Sequence, residues 1–293
     1  MTMWRLILLG TLALATGLPL GGAAEQEATP PSAPAKVTLT DAEKERFLLE
    51  AEIVRRRSAP GGITNSERAT LRREGLEHDA HIQAIDEHKQ QKQLDTAFEI
   101  DFRDSYRNNV AAYRLDRLIG LGMAPVTVVR RDRDRGASFM WWVDDVVMDE
   151  SARLKKKIRA PDTDAWNEQM YVVRVFDQVI YNFDRNLHNL LIDSDWRIWM
   201  IDHSRGFKIF KEVKTPKNLG PRCARELLAG LRRLDRPALE VAMKDLLETP
   251  QITGLLARRD WIVKYYDAKI AQLGEKAVLY EFPTRVNQTL SSR

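Results

Sequence analysis

The feature that most constrains the fold lies between residues 184 and 202, where two carboxylates and an amide flank a predicted β-hairpin. Asp184 follows a long segment with an apolar stripe, Asn189 comes five residues later, and Asp202 lies thirteen residues beyond that. An apolar run, an acidic turn and a second apolar run between Asn189 and Asp202 predict the hairpin. Because the start of one hairpin strand lies beside the end of the other, Asn189 and Asp202 are expected to meet.

This spacing suits a particular chemistry. Amide and carboxylate oxygens are ligands for Mg²⁺, which binds one or two carboxylates together with substrate phosphates. Asp184, on the adjoining loop, would reach the same place as a proton acceptor. The alternative is ordinary β-structure, since Asp and Asn also favour turns.

The two spacings are similar to those of the protein-kinase superfamily, in which a catalytic-loop Asp, an Asn and a metal-binding Asp recur in this order. The run Asp184-Arg185-Asn186-Leu187-His188-Asn189 resembles the Asp-Arg-His-x-x-Asn loop of phosphoinositide-kinase-like enzymes, and Ile201-Asp202-His203 stands where ordinary protein kinases carry Asp-Phe-Gly. HipA-like and secretory-pathway kinases also vary these motifs. The stretch from Arg103 to about Phe207, with Ala111-Ala112-Tyr113-Arg114-Leu115, resembles uncharacterised exported bacterial kinase-like proteins.

The resemblance implies an α+β, two-lobed protein-kinase-like fold. The small sheet-based N-lobe, with one main helix, would span residues 40–145 and bind nucleotide, and the mostly helical C-lobe would span 146–293. It further implies that Asp184 is catalytic, that Asn189 and Asp202 hold Mg²⁺, and that ATP donates a phosphate to a hydroxyl of a protein or a small molecule.

A kinase-like N-lobe needs a lysine on its third strand and an acid on its helix. Lys89 is the candidate for the nucleotide-holding lysine, with Lys92 as the alternative. No helix acid stands out, since Asn109 occupies the expected position and only Asp104 and Asp116 are acidic. The turn at Gly61-Gly62 also lacks the G-x-G-x-x-G pattern.

Periodicity predicts the remaining elements. We expect helices over 41–56, 104–119 and 165–181, and three more within 222–276. Strands are expected over 67–72 and 78–86, joined by a turn at Gly75, and a hairpin over 126–143.

The N-terminus has the pattern of a secretory signal peptide. Arg5 precedes an apolar run, Leu6–Leu20, which small residues follow up to Ala24. Cleavage after Ala24 would leave a Pro- and Ala-rich linker over 25–39 and no stable membrane span. We therefore expect an exported protein, periplasmic or secreted; an uncleaved anchor is the alternative.

Composition excludes several classes of protein. Among 293 residues, 46 basic and 42 acidic side chains give a net charge of +4, too little to indicate a nucleic-acid partner. The single cysteine, Cys223, excludes an intramolecular disulfide framework. The basic run Arg153–Arg159 is either a solvated helix face or a site for phosphate or an acidic substrate.

Two functions therefore stay open for the same fold. One is an atypical kinase-like phosphotransferase that uses ATP and Mg²⁺. The other is a catalytically weak or inactive pseudokinase-type binding module in the cell envelope, which the poor glycine-rich loop and the missing helix acid favour. An exported scaffold of unrelated fold is a third possibility.

Overall fold

The computed structural model describes residues 39–58, 66–94, 98–183 and 185–283. The chain from Leu39 onward forms one compact unit. The predicted signal peptide and linker, the Gly61-Gly62 turn and Asp184 lie outside the described residues.

The first half of the unit is built mainly from strands. Its elements, in chain order, are α1 (Asp41–Glu50), β1 (Glu52–Ser58), β2 (Glu67–Arg73), β3 (Leu76–Gln83), β4 (Asp86–Gln93), β5 (Phe98–Ser105), α2 (Tyr106–Leu118), β6 (Thr127–Asp132) and β7 (Arg135–Trp141). Five of the strands form one antiparallel sheet in the order β1-β2-β3-β7-β6, while β4 and β5 pair separately.

Helix α1 is shorter than the sequence predicts. Its start is confirmed, because Thr40 and Glu43 form the expected capping box. The predicted end at residue 56 is wrong: the helix ends at Glu50, and β1 follows at once. The β-branched Ile53 pairs with Leu71 of β2, so pairing with the sheet outweighs the helical spacing in this segment.

The predicted hairpins are present. At the β2–β3 turn Glu74 and Gly75 both have positive φ, 51° and 80°, which favours a glycine at the second position. Strands β6 and β7 form the hairpin predicted over 126–143. The β4–β5 hairpin, between β3 and α2, is not among the sequence predictions.

One face of the five-stranded sheet packs against α1 and α2. Its core is apolar and nearly solvent-free; the largest members are Phe47, Leu71, Ile82, Tyr113, Phe139 and Trp141. Burial of this face fixes α1 on the sheet, since burying one large apolar side chain is worth about 1.5–3 kcal/mol.

The second half is mostly helical. Its elements are β8 (Val146–Asp149), α3 (Glu150–Lys155), α4 (Thr163–Ile180), a 3-10 turn (Leu187–Asn189), β9 (Leu190–Asp193), β10 (Ile198–Met200), a 3-10 turn (Pro216–Asn218), β11 (Cys223–Ala224), α5 (Arg225–Arg233), α6 (Arg236–Ala242), α7 (Thr249–Leu273), α8 (Glu275–Val278) and β12 (Leu279–Tyr280). The predicted helix over 165–181, the hairpin before Asp202 and the helices beyond 222 are confirmed, with α8 in addition.

The larger core surrounds α4. Val172, Val175, Phe176 and Val179 on its stripe are fully buried. Arg258 of α7 is also buried and donates hydrogen bonds to the carbonyl oxygens of Val179, Lys208 and Phe210. Burial lowers the pKa of Arg258 to about 9. Within the described ranges, we find no helix with the length and apolar character needed to cross a membrane.

Candidate functional site

The loop after α4 is anchored by a buried arginine. The guanidinium of Arg185 donates to both carboxylate oxygens of Asp177, at 3.0 and 2.8 Å, and to the carbonyl oxygen of Ile201 at 2.6 Å. The two side chains are 11% and 9% exposed, so this is a buried, forked ion pair. It ties the end of α4 to the end of the β9–β10 hairpin. Asp184, the predicted catalytic residue, directly precedes Arg185 and is itself outside the described residues.

The hairpin brings Asn189 and Asp202 together, as the sequence predicts. The amide nitrogen Nδ2 of Asn189 lies 3.3 Å from Oδ2 of Asp202. The backbone supports the contact, because the N–H of Ile201 donates to the carbonyl oxygen of Asn189 at 3.0 Å. Asp202 is exposed and has a left-handed backbone, with φ of 52°. One amide and one exposed carboxylate fit a divalent cation with open positions for phosphate oxygens.

A neutral hydrogen-bonded brace connects this site to the sheet. The Asn109 side chain of α2 donates to Oε1 of Gln83, the last residue of β3, over 2.5 Å. The other end of the same amide accepts the backbone N–H of His203, next to Asp202, at 2.7 Å. We call Gln83, Asn109 and the His203 amide the Gln83–Asn109 brace. A kinase-like cleft carries a lysine and an acid in these two elements.

The structure corrects the placement of Lys89. The third strand of the sheet ends at Gln83, whereas Lys89 lies on β4 in a separate two-stranded sheet. Its side chain is 52% exposed and forms an ion pair with Glu87, at 2.6 Å. Lys92 also binds Glu87, at 2.9 Å. The predicted strand over 78–86 is wrong at its end. Strand β3 ends at Gln83, and residue 86 already belongs to β4.

Asp116, one of the two acids that the sequence offers as helix partners, has another role. Asp116 is fully buried and accepts the backbone N–H groups of Gly122, Met123 and Ala124. Burial raises the pKa of Asp116. It therefore shapes the turn after α2.

Asp104, by contrast, lies close to the site. It is 9% exposed, and its Oδ1 atom has no hydrogen-bond partner among the described residues. Burial raises the pKa of its carboxyl, the hydroxyl of Ser204 lowers it by hydrogen bonding, and the negative charge of Asp202 raises it further. Sequence spacing alone does not reveal this second carboxylate beside Asp202, because β5 brings it in from a different part of the chain.

The β4–β5 hairpin holds the segment that follows Asp202. Glu99 accepts from Arg205 at 2.5 Å and from Lys208. The backbone N–H of Ile209 donates to Asp101 over 3.1 Å. At the base of the hairpin the N–H of Ser105 donates to the carbonyl oxygen of Ser204, over 3.0 Å. Residues 204–209 are thereby fixed to the hairpin by charges and by backbone contacts.

The histidines do not form a zinc site. His78 stacks on Trp141 with ring centroids 3.6 Å apart, and His88 lies 3.1 Å from Asp101. His81 lies on the face of β3 opposite the apolar core, where the charge of Asp202 raises its pKa against a larger lowering by burial. In the ranges that the structure covers, no group of three His, Cys, Asp or Glu side chains is arranged to hold a metal ion.

Trp141, Trp142 and Cys223 have structural roles. Trp141 is part of the core, and Trp142 lies under the guanidinium of Arg68 at 3.9 Å. Cys223 is buried, and burial raises the pKa of its thiol to about 12, which leaves it unreactive.

Comparison with known proteins identifies the fold. No protein-family model and no curated protein matches the sequence. Among solved structures, hydra Fam20 with sugar is similar with a TM-score of 0.63 and 14% identity, over 83% of this chain and 92% of that one. The Golgi casein kinase is similar with a TM-score of 0.60 and 15% identity, over 83% and 80%.

A second structure of the Golgi casein kinase, with Mn/ADP bound, gives a TM-score of 0.59 at 15% identity, over the same shares of the two chains. At this identity the likeness concerns the fold. The chain therefore has an α+β, two-lobed kinase-like fold, similar to that of these structures.

Proposed function

We propose that this protein is an atypical kinase-like phosphotransferase that moves the γ-phosphate of ATP to a hydroxyl acceptor, most simply one on a protein. The observation that carries the proposal is the contact between Asn189 and Asp202, at 3.3 Å. In a kinase-like fold, this amide and carboxylate would hold Mg²⁺, which neutralises phosphate charge when it is bound. The Mn/ADP bound in the Golgi casein kinase supports the choice of ligand.

In the proposed reaction the acceptor oxygen forms a bond to the γ-phosphorus, and the bond from that phosphorus to the bridging oxygen breaks, which releases ADP. Asp184 accepts the proton of the acceptor hydroxyl. Arg185, the residue after Asp184, is held through Asp177 and Ile201, and this contact would support the position of the proposed proton acceptor. Positioning of this kind accounts for most of the catalysis in phosphoryl transfer.

The second candidate function is a binding module that holds nucleotide without turnover. The Gln83–Asn109 brace favours it, because neither side chain of the brace carries a charge. A lysine in the position of Gln83 would attract phosphate as a point charge, and a glutamine cannot. The metal site would then supply most of the attraction for the nucleotide.

We also propose that the protein works outside the cytoplasm, on the strength of the signal-peptide pattern that ends at Ala24. The mass of the intact protein from its native envelope fraction should then correspond to a chain that begins at Glu25. A product that retains residues 1–24 would indicate a membrane-anchored protein and contradict the secreted one.

Two substitutions separate the candidates. Asp184→Asn should keep the thermal shift with ATP and Mg²⁺ but lose phosphate transfer, since a positioned general base contributes ~10²–10⁴ in rate. Asp202→Ala should lose both the shift and the transfer. Asp134→Asn, in the exposed β6–β7 turn, is the matched control and should change neither.

The outcomes distinguish the candidates as follows. A wild-type protein that shows the shift without transfer to itself or to generic acceptors would favour the binding module. A wild-type protein without any metal-dependent shift, for any common nucleotide, would contradict both candidates.

A further inference from the structure

A cavity of about 540 Å³, whose lining does not include Asn189 or Asp202, lies between α3, the chain after it and the first turns of α4. Three arginines line it, together with aromatic and apolar side chains. We call this the arginine pocket; its main residues are Arg153, Arg159, Arg174, Trp166, Met170 and Tyr171. Part of it comes from the basic run that the sequence analysis singles out.

One wall of the arginine pocket is rigid. Arg153 donates to both oxygens of Glu150, at 2.6 and 2.8 Å, and to the carbonyl oxygen of Ile158, at 2.7 Å. Its guanidinium also lies over the Trp166 ring, at 4.8 Å. The fork neutralises Glu150, the carboxylate that lines the cavity, and leaves Arg153 and Trp166 as a fixed surface.

The other two arginines have unused donors. Arg159 and Arg174 are exposed, and neither has an ion pair or a hydrogen bond among the described residues. Arg174 contacts only the face of Tyr171, at 5.8 Å from the ring centroid. Two unpaired guanidiniums at one cavity attract an oxyanion, since each presents a planar fork of donors that matches phosphate geometry.

Two of the acids nearby, Asp162 and Glu168, are already engaged. The Asp162 carboxylate caps α4 by accepting from the N–H groups of Asp164 and Ala165, at 3.0 and 2.9 Å. Glu168 is paired with Arg222 at 3.0 Å. The N–H groups at the start of α4 therefore already have an acceptor and are not offered to an anion. Asp162 and Glu168 also have their own partners and do not compete for Arg159 and Arg174.

We propose that the arginine pocket binds a phosphate group carried on an aromatic body. Arg159 and Arg174 would bind the phosphate oxygens, while Trp166, Met170 and Tyr171 would pack against the ring. The volume is within the range of small-molecule sites, about 300–1,000 Å³, and exceeds what a phosphate alone would fill. The site is independent of the nucleotide cleft and does not require the proposed phosphotransfer.

The test uses isothermal titration calorimetry on the full chain in EDTA without nucleotide, so that the metal-dependent cleft does not contribute. Phenyl phosphate, inorganic phosphate and phenol are the three probes. We expect phenyl phosphate to bind best, inorganic phosphate more weakly and phenol least. Equal affinity for phenyl phosphate and inorganic phosphate would overturn the aromatic half of the proposal, and no binding of phenyl phosphate at millimolar concentration would overturn all of it.

A pair of double variants distinguishes binding at the arginine pocket from a general effect of positive charge on the protein surface. R159A/R174A should weaken phenyl phosphate binding at least about tenfold, since hydrogen bonds to charged groups are among the stronger ones. R46A/R233A removes the same charge from exposed arginines on α1 and α5 and should bind as wild type does. Equal losses in the two variants would overturn the proposal. Both pairs are exposed, so matching thermal melts are expected and check that each variant is folded.

Discussion

The two sides of the proposed nucleotide cleft differ in how they are held together. On the C-lobe side, a buried ion pair between Arg185 and Asp177 fixes the loop that leads to the Asn189–Asp202 pair. On the N-lobe side, the Gln83–Asn109 brace joins β3, α2 and the residue after Asp202 through neutral hydrogen bonds. The loop on the C-lobe side is thus fixed by an ion pair, whereas the contact on the N-lobe side is made by uncharged groups.

The difference has a consequence for binding. Charge-assisted hydrogen bonds are about twice as strong as neutral ones. A neutral brace can hold α2 against β3, as Gln83 and Asn109 do, but it offers no cation to a phosphate. Affinity for a nucleotide should therefore depend on the metal side of the cleft.

The largest expected effect is on the charged side. Arg185→Ala removes three hydrogen bonds and leaves Asp177, which is 7% exposed, as a buried unpaired carboxylate. Breaking a buried pair in this way should cost about 3–5 kcal/mol of unfolding free energy. Urea denaturation measures it, with Arg233→Ala as the exposed control, which should change stability by less than about 0.5 kcal/mol. A small loss for Arg185→Ala would mean that the loop is held by other contacts.

The next largest effect is expected for a variant that places charges on the neutral, N-lobe side. The double variant Gln83→Lys/Asn109→Glu should form an ion pair across the brace and raise ATP affinity about tenfold, equivalent to about 1.4 kcal/mol. Asn109→Glu alone should be destabilised, because it buries an unpaired carboxylate beside Gln83.

Lys89→Ala is the control for that experiment and should leave ATP affinity unchanged, since the Lys89 ammonium is bound to Glu87 on β4. A loss of ATP binding in Lys89→Ala, with no gain in the double variant, would show that the hairpin lysine holds the phosphates after all.

A pH effect follows from His203, which the Gln83–Asn109 brace holds by its backbone. Its ring is 3% exposed, and burial, followed by the charge of Arg185, holds its pKa well below the ordinary value of 6.5. The unfolded chain therefore binds a proton at His203 more readily than the folded chain does. As a result, stability is lost as the pH falls below about 6.5. The loss is about 1.4 kcal/mol for each pH unit, down to the pKa of His203 in the folded chain. His203→Phe should remove this part of the acid sensitivity, as seen in melting temperatures between pH 7 and 5. Identical pH profiles for the two proteins would contradict the assignment.

The smallest effect concerns the β4–β5 hairpin. Glu99→Gln keeps a hydrogen-bond acceptor for Arg205 and Lys208 but removes the charge, and should cost about 1 kcal/mol. The loss should be local, as faster amide hydrogen exchange at Ile209, whose N–H is held by Asp101 on the same hairpin. Uniformly faster exchange over the whole unit would indicate a global role for Glu99.

Much of the C-lobe side could be predicted from the sequence. The acidic and amide residues at Asn189 and Asp202 flank one short hairpin, so local pairing is enough to bring them together. Helix α4 was equally accessible, because its apolar stripe repeats at helical spacing.

The N-lobe side depends on contacts between distant segments. Gln83 and Asn109 are separated by the whole β4–β5 hairpin, and its first strand, β4, is polar throughout and shows none of the alternation that predicts a strand. The position of Asp104 near Asp202 also depends on this hairpin, because Asp104 lies on β5. The end of α1 was misplaced because pairing with β2, which overrides the helical spacing after Glu50, is also non-local.

The most direct test of the account is the metal dependence of ATP binding to the wild-type chain. Isothermal titration calorimetry should detect ATP binding in the presence of Mg²⁺ and lose it in EDTA, because the neutral brace leaves the metal as the main attraction for the phosphates. The same titration with Asp202→Ala should show no binding with Mg²⁺, since the exposed carboxylate of the pair is gone. ATP binding of equal strength with Mg²⁺ and with EDTA would contradict the account.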